Sequence, residues 1–207
     1  MNMYEIPFDS TVNCSDRHGG TTVAVTLHPV SRNVTHIVVE DNDGRQRLVP
    51  LKVIEKTGDD DVWLNCTEDE LKKMTLFLTN EYVERAPQKS GDWTEEEGEW
   101  EDGVDVSQFE RTDNFGMPVV VEKVPPGEIA FHRKTDIEAT DDYVGEVEKL
   151  IIEPDTGHIT HLVWEKGHLW GKKHIMIPLT AVDNVDYDSV YLNVDKDTVE
   201  NFPEQPE

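Results

Sequence analysis

Histidine, cysteine and carboxylate side chains are the parts of this 207-residue chain that could do chemistry. His36 and His161 come first, because each occupies the same place in a recurring hexamer. One copy reads Thr35-His36-Ile37-Val38-Val39-Glu40 and the other Thr160-His161-Leu162-Val163-Trp164-Glu165. Recurring imidazoles could ligate a metal, but zinc takes three or four donors and none lies two residues away on the same strand face. Both are therefore read as structural histidines bonded across strands, with a pH-sensitive role as the alternative. His168 and His174 flank a loop without completing a ligand set. Cys14 and Cys66 have no histidine beside them in a nucleophile pattern, and Ala139 and Val194 stand at their counterpart positions. Buried packing thiols are expected, with a disulfide as the sharper alternative. Gly19-Gly20 lacks the Lys-Ser/Thr and helix of a phosphate loop, and there is no Gly-x-Ser-x-Gly elbow. Gly20 and Gly145 are instead explained by backbone geometry, as a bulge or close approach at a strand start. With 44 acidic residues, neighbouring carboxylates carry no signal. No catalytic residue, metal or cofactor is expected, and the chain is read as a non-enzyme.

The residues best suited to binding lie elsewhere. Gly167-His168-Leu169-Trp170-Gly171-Lys172-Lys173 sets two large apolar side chains beside a basic pair in a predicted hairpin loop. Aromatic residues on loops are the usual anchors of interfaces, so His168, Leu169, Trp170, Lys172 and Lys173 are partner-binding candidates. The competing reading has Trp170 folding back to cap a barrel end. Trp93 and Trp100 are further candidates, set in an acidic run from Gly91 to Gly103. That run is either a solvated tether or a short docking segment that folds on a partner.

These residues are positioned by a duplication. Asp16, Gly20 and Pro29 recur as Asp141, Gly145 and Pro154 at the offset of the hexamer. Pro50-Leu51 and Val62-Trp63-Leu64-Asn65 recur as Pro178-Leu179 and Val190-Tyr191-Leu192-Asn193, three positions further on. Matched spacing over this length marks two copies of one module. Short apolar alternations such as Val23, Val25 and Leu27, bounded by Gly, Pro, Asn and Asp, predict strands. Asn42-Asp43-Gly44 predicts a tight hairpin. Thr67 and Asp195 are the expected caps of a short helix closing each copy. The fold class is all-β, with two small barrels of five to six strands, each ending in a short helix and joined by a disordered acidic linker. The domain boundaries are placed at 1–82, 83–120 and 121–207.

The net charge of −25 repels phosphate backbones, so no direct nucleic-acid partner is expected. No apolar run approaches the ~18–20 residues that span a bilayer. Met1-Asn2-Met3-Tyr4-Glu5 lacks the basic stretch and apolar core of a secretory signal. A cytoplasmic protein without a transmembrane segment is expected.

The string Asp141-Asp142-Tyr143-Val144-Gly145-Glu146-Val147, followed by Pro154-Asp155-Thr156-Gly157-His158-Ile159-Thr160-His161-Leu162-Val163, resembles the PRC-barrel domain. So do Leu169-Trp170-Gly171, Ile177-Pro178-Leu179 and Val190-Tyr191-Leu192-Asn193-Val194. The first copy fits from about Val12 to Leu71, with a shorter turn in place of the Leu-Trp-Gly hairpin. That family includes the cytoplasmic barrel of the photosynthetic reaction centre H subunit and the C-terminal barrel of RimM. The resemblance implies a tandem PRC-barrel protein acting as a non-enzymatic, protein-binding adaptor or assembly module. It also leaves two alternatives: a peripheral assembly factor of a photosynthetic or other membrane complex, and an RNA or ribosome maturation factor.

Overall fold

Period-two alternation becomes strands throughout the computed structural model, which describes residues 3–83, 117–167, 173–186 and 188–206. In the first copy these are β2 (Thr11–Asn13), β3 (His18–His28), β4 (Asn33–Asp41), β5 (Gln46–Pro50), β6 (Ile54–Thr57) and β7 (Asp61–Leu64). They hydrogen-bond in the order β5-β4-β3-β2-β7-β6. Neighbours are antiparallel except β2 and β7, which run parallel. The β4–β5 hairpin turns at Gly44, whose φ of 73° is the left-handed conformation glycine favours. Asp41 Oδ1 accepts the N–H groups of Asp43 at 3.0 Å and Arg45 at 2.9 Å, which locks that turn. A short helix α1 (Glu68–Leu71) follows, with Thr67 and Glu70 forming a reciprocal capping box.

The second copy repeats the plan with β11 (Asp136–Glu138), β12 (Tyr143–Ile152), β13 (Ile159–Lys166), β14 (Lys173–Pro178), β15 (Val182–Val185) and β16 (Ser189–Leu192). Their order is β14-β13-β12-β11-β16-β15, again with one parallel pair, β11 with β16. Helix α2 (Lys196–Glu200) is capped by Asp195, whose carboxylate accepts the Thr198 N–H at 2.8 Å. In both copies the chain after the helix returns to the edge strand. Leu48 N–H donates to Thr75 O and Phe77 N–H to Gln46 O. The counterparts are Met176 N–H to Pro203 O and Gln205 N–H to His174 O. Pairing an edge with the chain's own tail removes a template for aggregation.

Each sheet takes its seventh strand from the other copy. β1 (Tyr4–Pro7) pairs antiparallel with β12, placing Ile6 opposite Leu150. β10 (Ile129–His132) pairs antiparallel with β3, placing Phe131 opposite Val25. Tyr4 and Ile129, Ile6 and Phe131, Leu150 and Val25 are counterparts under the sequence offset, so the exchange is reciprocal and in the same register. One apolar core results, holding Ile6, Leu27 and Ile37 together with Phe131, Leu150 and Leu162. The chain divides into two units, Met1–Leu78 with Glu122–Glu207, and Thr79–Val121. The larger contains both seven-stranded sheets. The smaller is built on the two-stranded sheet of β8 (Leu78–Val83) and β9 (Met117–Glu122). No helix among the described residues is long and apolar enough to cross a membrane.

Candidate functional site

The exchange gives the larger unit an approximate two-fold relation, and counterpart residues meet where it passes. Asn33 and His158 form a bridge, flanked by Val34 N–H to Gly157 O at 2.8 Å and Ile159 N–H to Arg32 O at 3.1 Å. Asp9 and Lys134 are counterparts, both non-glycine residues with positive φ. Asp9 forms an ion pair with Arg133 beside it. Phe8, the counterpart of Arg133, stacks near Phe131 with ring centroids 6.1 Å apart.

The outer faces of the two sheets differ sharply. On the first sheet Ala24, Val38, Leu48, Phe77 and Ala130 form a second, buried apolar cluster. At their counterpart positions the second sheet and its tail have Lys149, Val163, Met176, Gln205 and Glu5. Lys149 is buried, with Nζ 3.5 Å from Glu5 Oε2, so a charged pair ties β1 to β12 where apolar contact ties β10 to β3. Beside it, Glu148 replaces Val23 and occupies a register shift in β12 between Val147 and Lys149. A bulge of this kind re-aims a side chain. Glu148 Oε2 lies 3.2 Å from His174 Nε2, which is 3.9 Å from Glu165 Oε2. Glu165 and His174 are direct cross-strand partners on β13 and β14. One donor atom from each of the three fits within 4.8 Å of the others. Glu148 and Glu165 also line an open cleft of about 680 Å³ with Phe8, Arg133, Tyr143 and Trp164.

Of the residues singled out from sequence, His168, Leu169, Trp170, Lys172, Trp93 and Trp100 lie outside the described residues. Lys173 opens β14 and pairs with Glu204. His36 Nδ1 sits 2.8 Å from Thr35 Oγ1 and 3.4 Å from Thr26 Oγ1 on the neighbouring strand. His161 Nδ1 sits 3.1 Å from Thr160 Oγ1. Burial holds both imidazoles below their ordinary pKa, opposed at His36 by the Glu128 carboxylate. Gly20 has φ 140°, and a Cβ there would stand 2.0 Å from the Glu40 carbonyl oxygen. A Cβ on Gly145 would stand 2.2 Å from Trp164 Nε1, so this glycine makes room for the indole. Cys14 and Cys66 are buried free thiols in contact. Burial, then the neighbouring Cys66, pushes Cys14 up to about 12, so it remains a thiol at neutral pH.

Sequence reasoning passed over Glu148, Glu165 and Gln205. The available signal was the pairwise comparison of copies, in which Val23 becomes Glu148, Gln46 becomes His174 and Phe77 becomes Gln205. Repeats keep what the fold needs, and departures of this kind mark what one copy does alone.

The described residues define an all-β protein in which one strand plan occurs twice and each copy lends the other a strand. Residues 136–200, nearly all of the second sheet and its helix, match the family model of the PRC-barrel domain. No curated protein matches the chain.

Proposed function

We propose that this chain is a tandem PRC-barrel protein that works as a non-enzymatic, protein-binding adaptor or assembly module. The family match covers the second copy, and the first copy follows the same strand order, helix cap and tail return. The observation that carries the reading is reciprocal strand exchange between two copies that differ in chemistry at equivalent places. Exchange makes the two copies one body, while equivalent places differ in chemistry, a buried apolar cluster on one sheet and the Lys149–Glu5 pair on the other. A body of that kind suits holding partners in a fixed relation better than transforming a small molecule. The hairpin with His168, Leu169, Trp170, Lys172 and Lys173 is the proposed anchor, with Trp93 and Trp100 as a second contact.

The test is affinity capture from the host's own lysate at moderate salt. The intact chain is compared with one carrying Leu169→Ala and Trp170→Ala. Specific proteins retained by the first and lost by the second are expected. Equal capture by both would remove the hairpin from the reading and send the test to Trp93 and Trp100. Recovery of membrane-complex subunits would specify an assembly factor, whereas salt-sensitive retention on ribosomal particles would specify a maturation factor.

A further inference from the structure

We infer that Glu148, Glu165 and His174 form a binding site for one divalent transition-metal cation of the zinc class, present in the second copy and missing from the first. One imidazole with two carboxylates is a donor set that suits such an ion better than calcium or magnesium, which take oxygen ligands. At bond lengths of about 2.0–2.2 Å, adjacent donors around one ion stand roughly 3–3.5 Å apart. His174 Nε2 and Glu148 Oε2 are already 3.2 Å apart, and Glu165 Oε2 stands at 3.9 Å from the same nitrogen. The donor atoms all lie within 4.8 Å of one another, so rotation of the part-exposed carboxylates by roughly 1–2 Å closes the set.

Two further observations point to a cation. Glu148 Oε2 is shielded from solvent, and the His174 Nε2 3.2 Å away makes an ion-pair contact without hydrogen-bond alignment. Gln205 Oε1 is shielded and has no hydrogen-bond partner, on the residue whose N–H bonds the His174 carbonyl at 2.7 Å. Shielded acceptors without donors are costly, and a metal ion is one way of satisfying them. The position is also built rather than incidental. The bulge in β12 and the cross-strand pairing of Glu165 with His174 recur in the first copy at Val23 and at Glu40 with Gln46, so the fold supplies the geometry and only the second copy puts three ligating side chains on it. The adjoining cleft admits water to complete the coordination shell.

The first copy supplies an internal control. Val23, Glu40 and Gln46 stand at the counterpart positions, and Gln46 Nε2 donates to Glu40 Oε2 at 3.3 Å. A neutral amide there satisfies the carboxylate without a metal, so the trio is not something the fold requires.

The test is calorimetric titration of the full, chelator-treated chain with zinc chloride at pH 7, with bound metal counted by elemental analysis after gel filtration. One ion per chain is expected. Glu148→Gln and His174→Ala should each weaken it by more than about tenfold, a loss typical even of outer-shell partners. Glu40→Gln, at the counterpart position, should bind as the unaltered chain does. Glu148→Gln is isosteric, and with its fold checked by circular dichroism a loss of binding there is not unfolding. Absence of a saturable one-to-one site would overturn the inference and leave the trio as a histidine–carboxylate ion pair. Binding equally retained by Glu148→Gln and His174→Ala would overturn it too, identifying surface acids as adventitious ligands.

Discussion

Asn33 and His158 are counterparts in the two copies, and they bond to each other, His158 Nδ1 to Asn33 Oδ1 at 3.1 Å. Residues related by a duplication can meet this way only where the relation between the copies passes through them. The contact therefore reports that the copies are arranged as a pair, with β1 and β10 exchanged on either side.

Cooperative unfolding follows from that exchange. Ile6 and Phe131 are buried in the other copy's sheet. Ile6→Ala should cost about 2–5 kcal/mol and Phe131→Ala about 3–5 kcal/mol. In urea denaturation each should shift a single transition, because the lost contact belongs to both sheets. Two separate transitions, with one unmoved, would show that the copies unfold independently. A protease site inserted between Gly91 and Gly103 offers a second check. The cleaved chain should still elute as one particle in gel filtration.

Glycine substitutions should rank by what their new Cβ meets. Gly20→Ala places a methyl 2.0 Å from a backbone oxygen at positive φ, and should cost more than about 3 kcal/mol. Gly145→Ala meets the Trp164 indole at 2.2 Å, a side chain that can move, and should cost about 1–3 kcal/mol. Gly44→Ala meets nothing within 4 Å but keeps φ at +73°, so about 1 kcal/mol is expected. Thermal melts of the three variants test the order, and a Gly44 variant worse than Gly20 would contradict it.

Acid should weaken the fold through His36 and His161. Both have folded-state pKa values below the unfolded value of about 6.5. The unfolded chain then binds protons first, so their contribution is complete above that value and is lost as pH falls below it. Tm should drop as pH falls below about 6.5. His36→Gln with His161→Gln should flatten that part of the curve. At His36 the Glu128 carboxylate opposes burial, so Glu128→Gln should steepen it. An unchanged slope in the double variant would assign the acid sensitivity to other groups.

Much of the fold was legible because its signals are local. Alternating apolar residues reported strands, Asp43-Gly44 reported a hairpin, and Thr67 and Asp195 reported helix starts. The duplication showed as matched spacing, and the offset itself identified which residues correspond. Gly20 and Gly145 were noticed because they recur, yet what each makes room for differs, a backbone oxygen in one copy and an indole in the other.

The sequence by itself determined an all-β chain, two copies of one strand plan, and the turns and caps within each. Tertiary structure alone decided that β1 belongs to the second sheet and β10 to the first. Pairing of Tyr4 with Ile152 or Ile129 with Leu27 joins segments more than a hundred residues apart, and no local periodicity encodes such a choice. Tertiary structure also gathered Glu148, Glu165 and His174. They come from three strands of unremarkable composition, and only a bulge and a cross-strand register turn them toward one point.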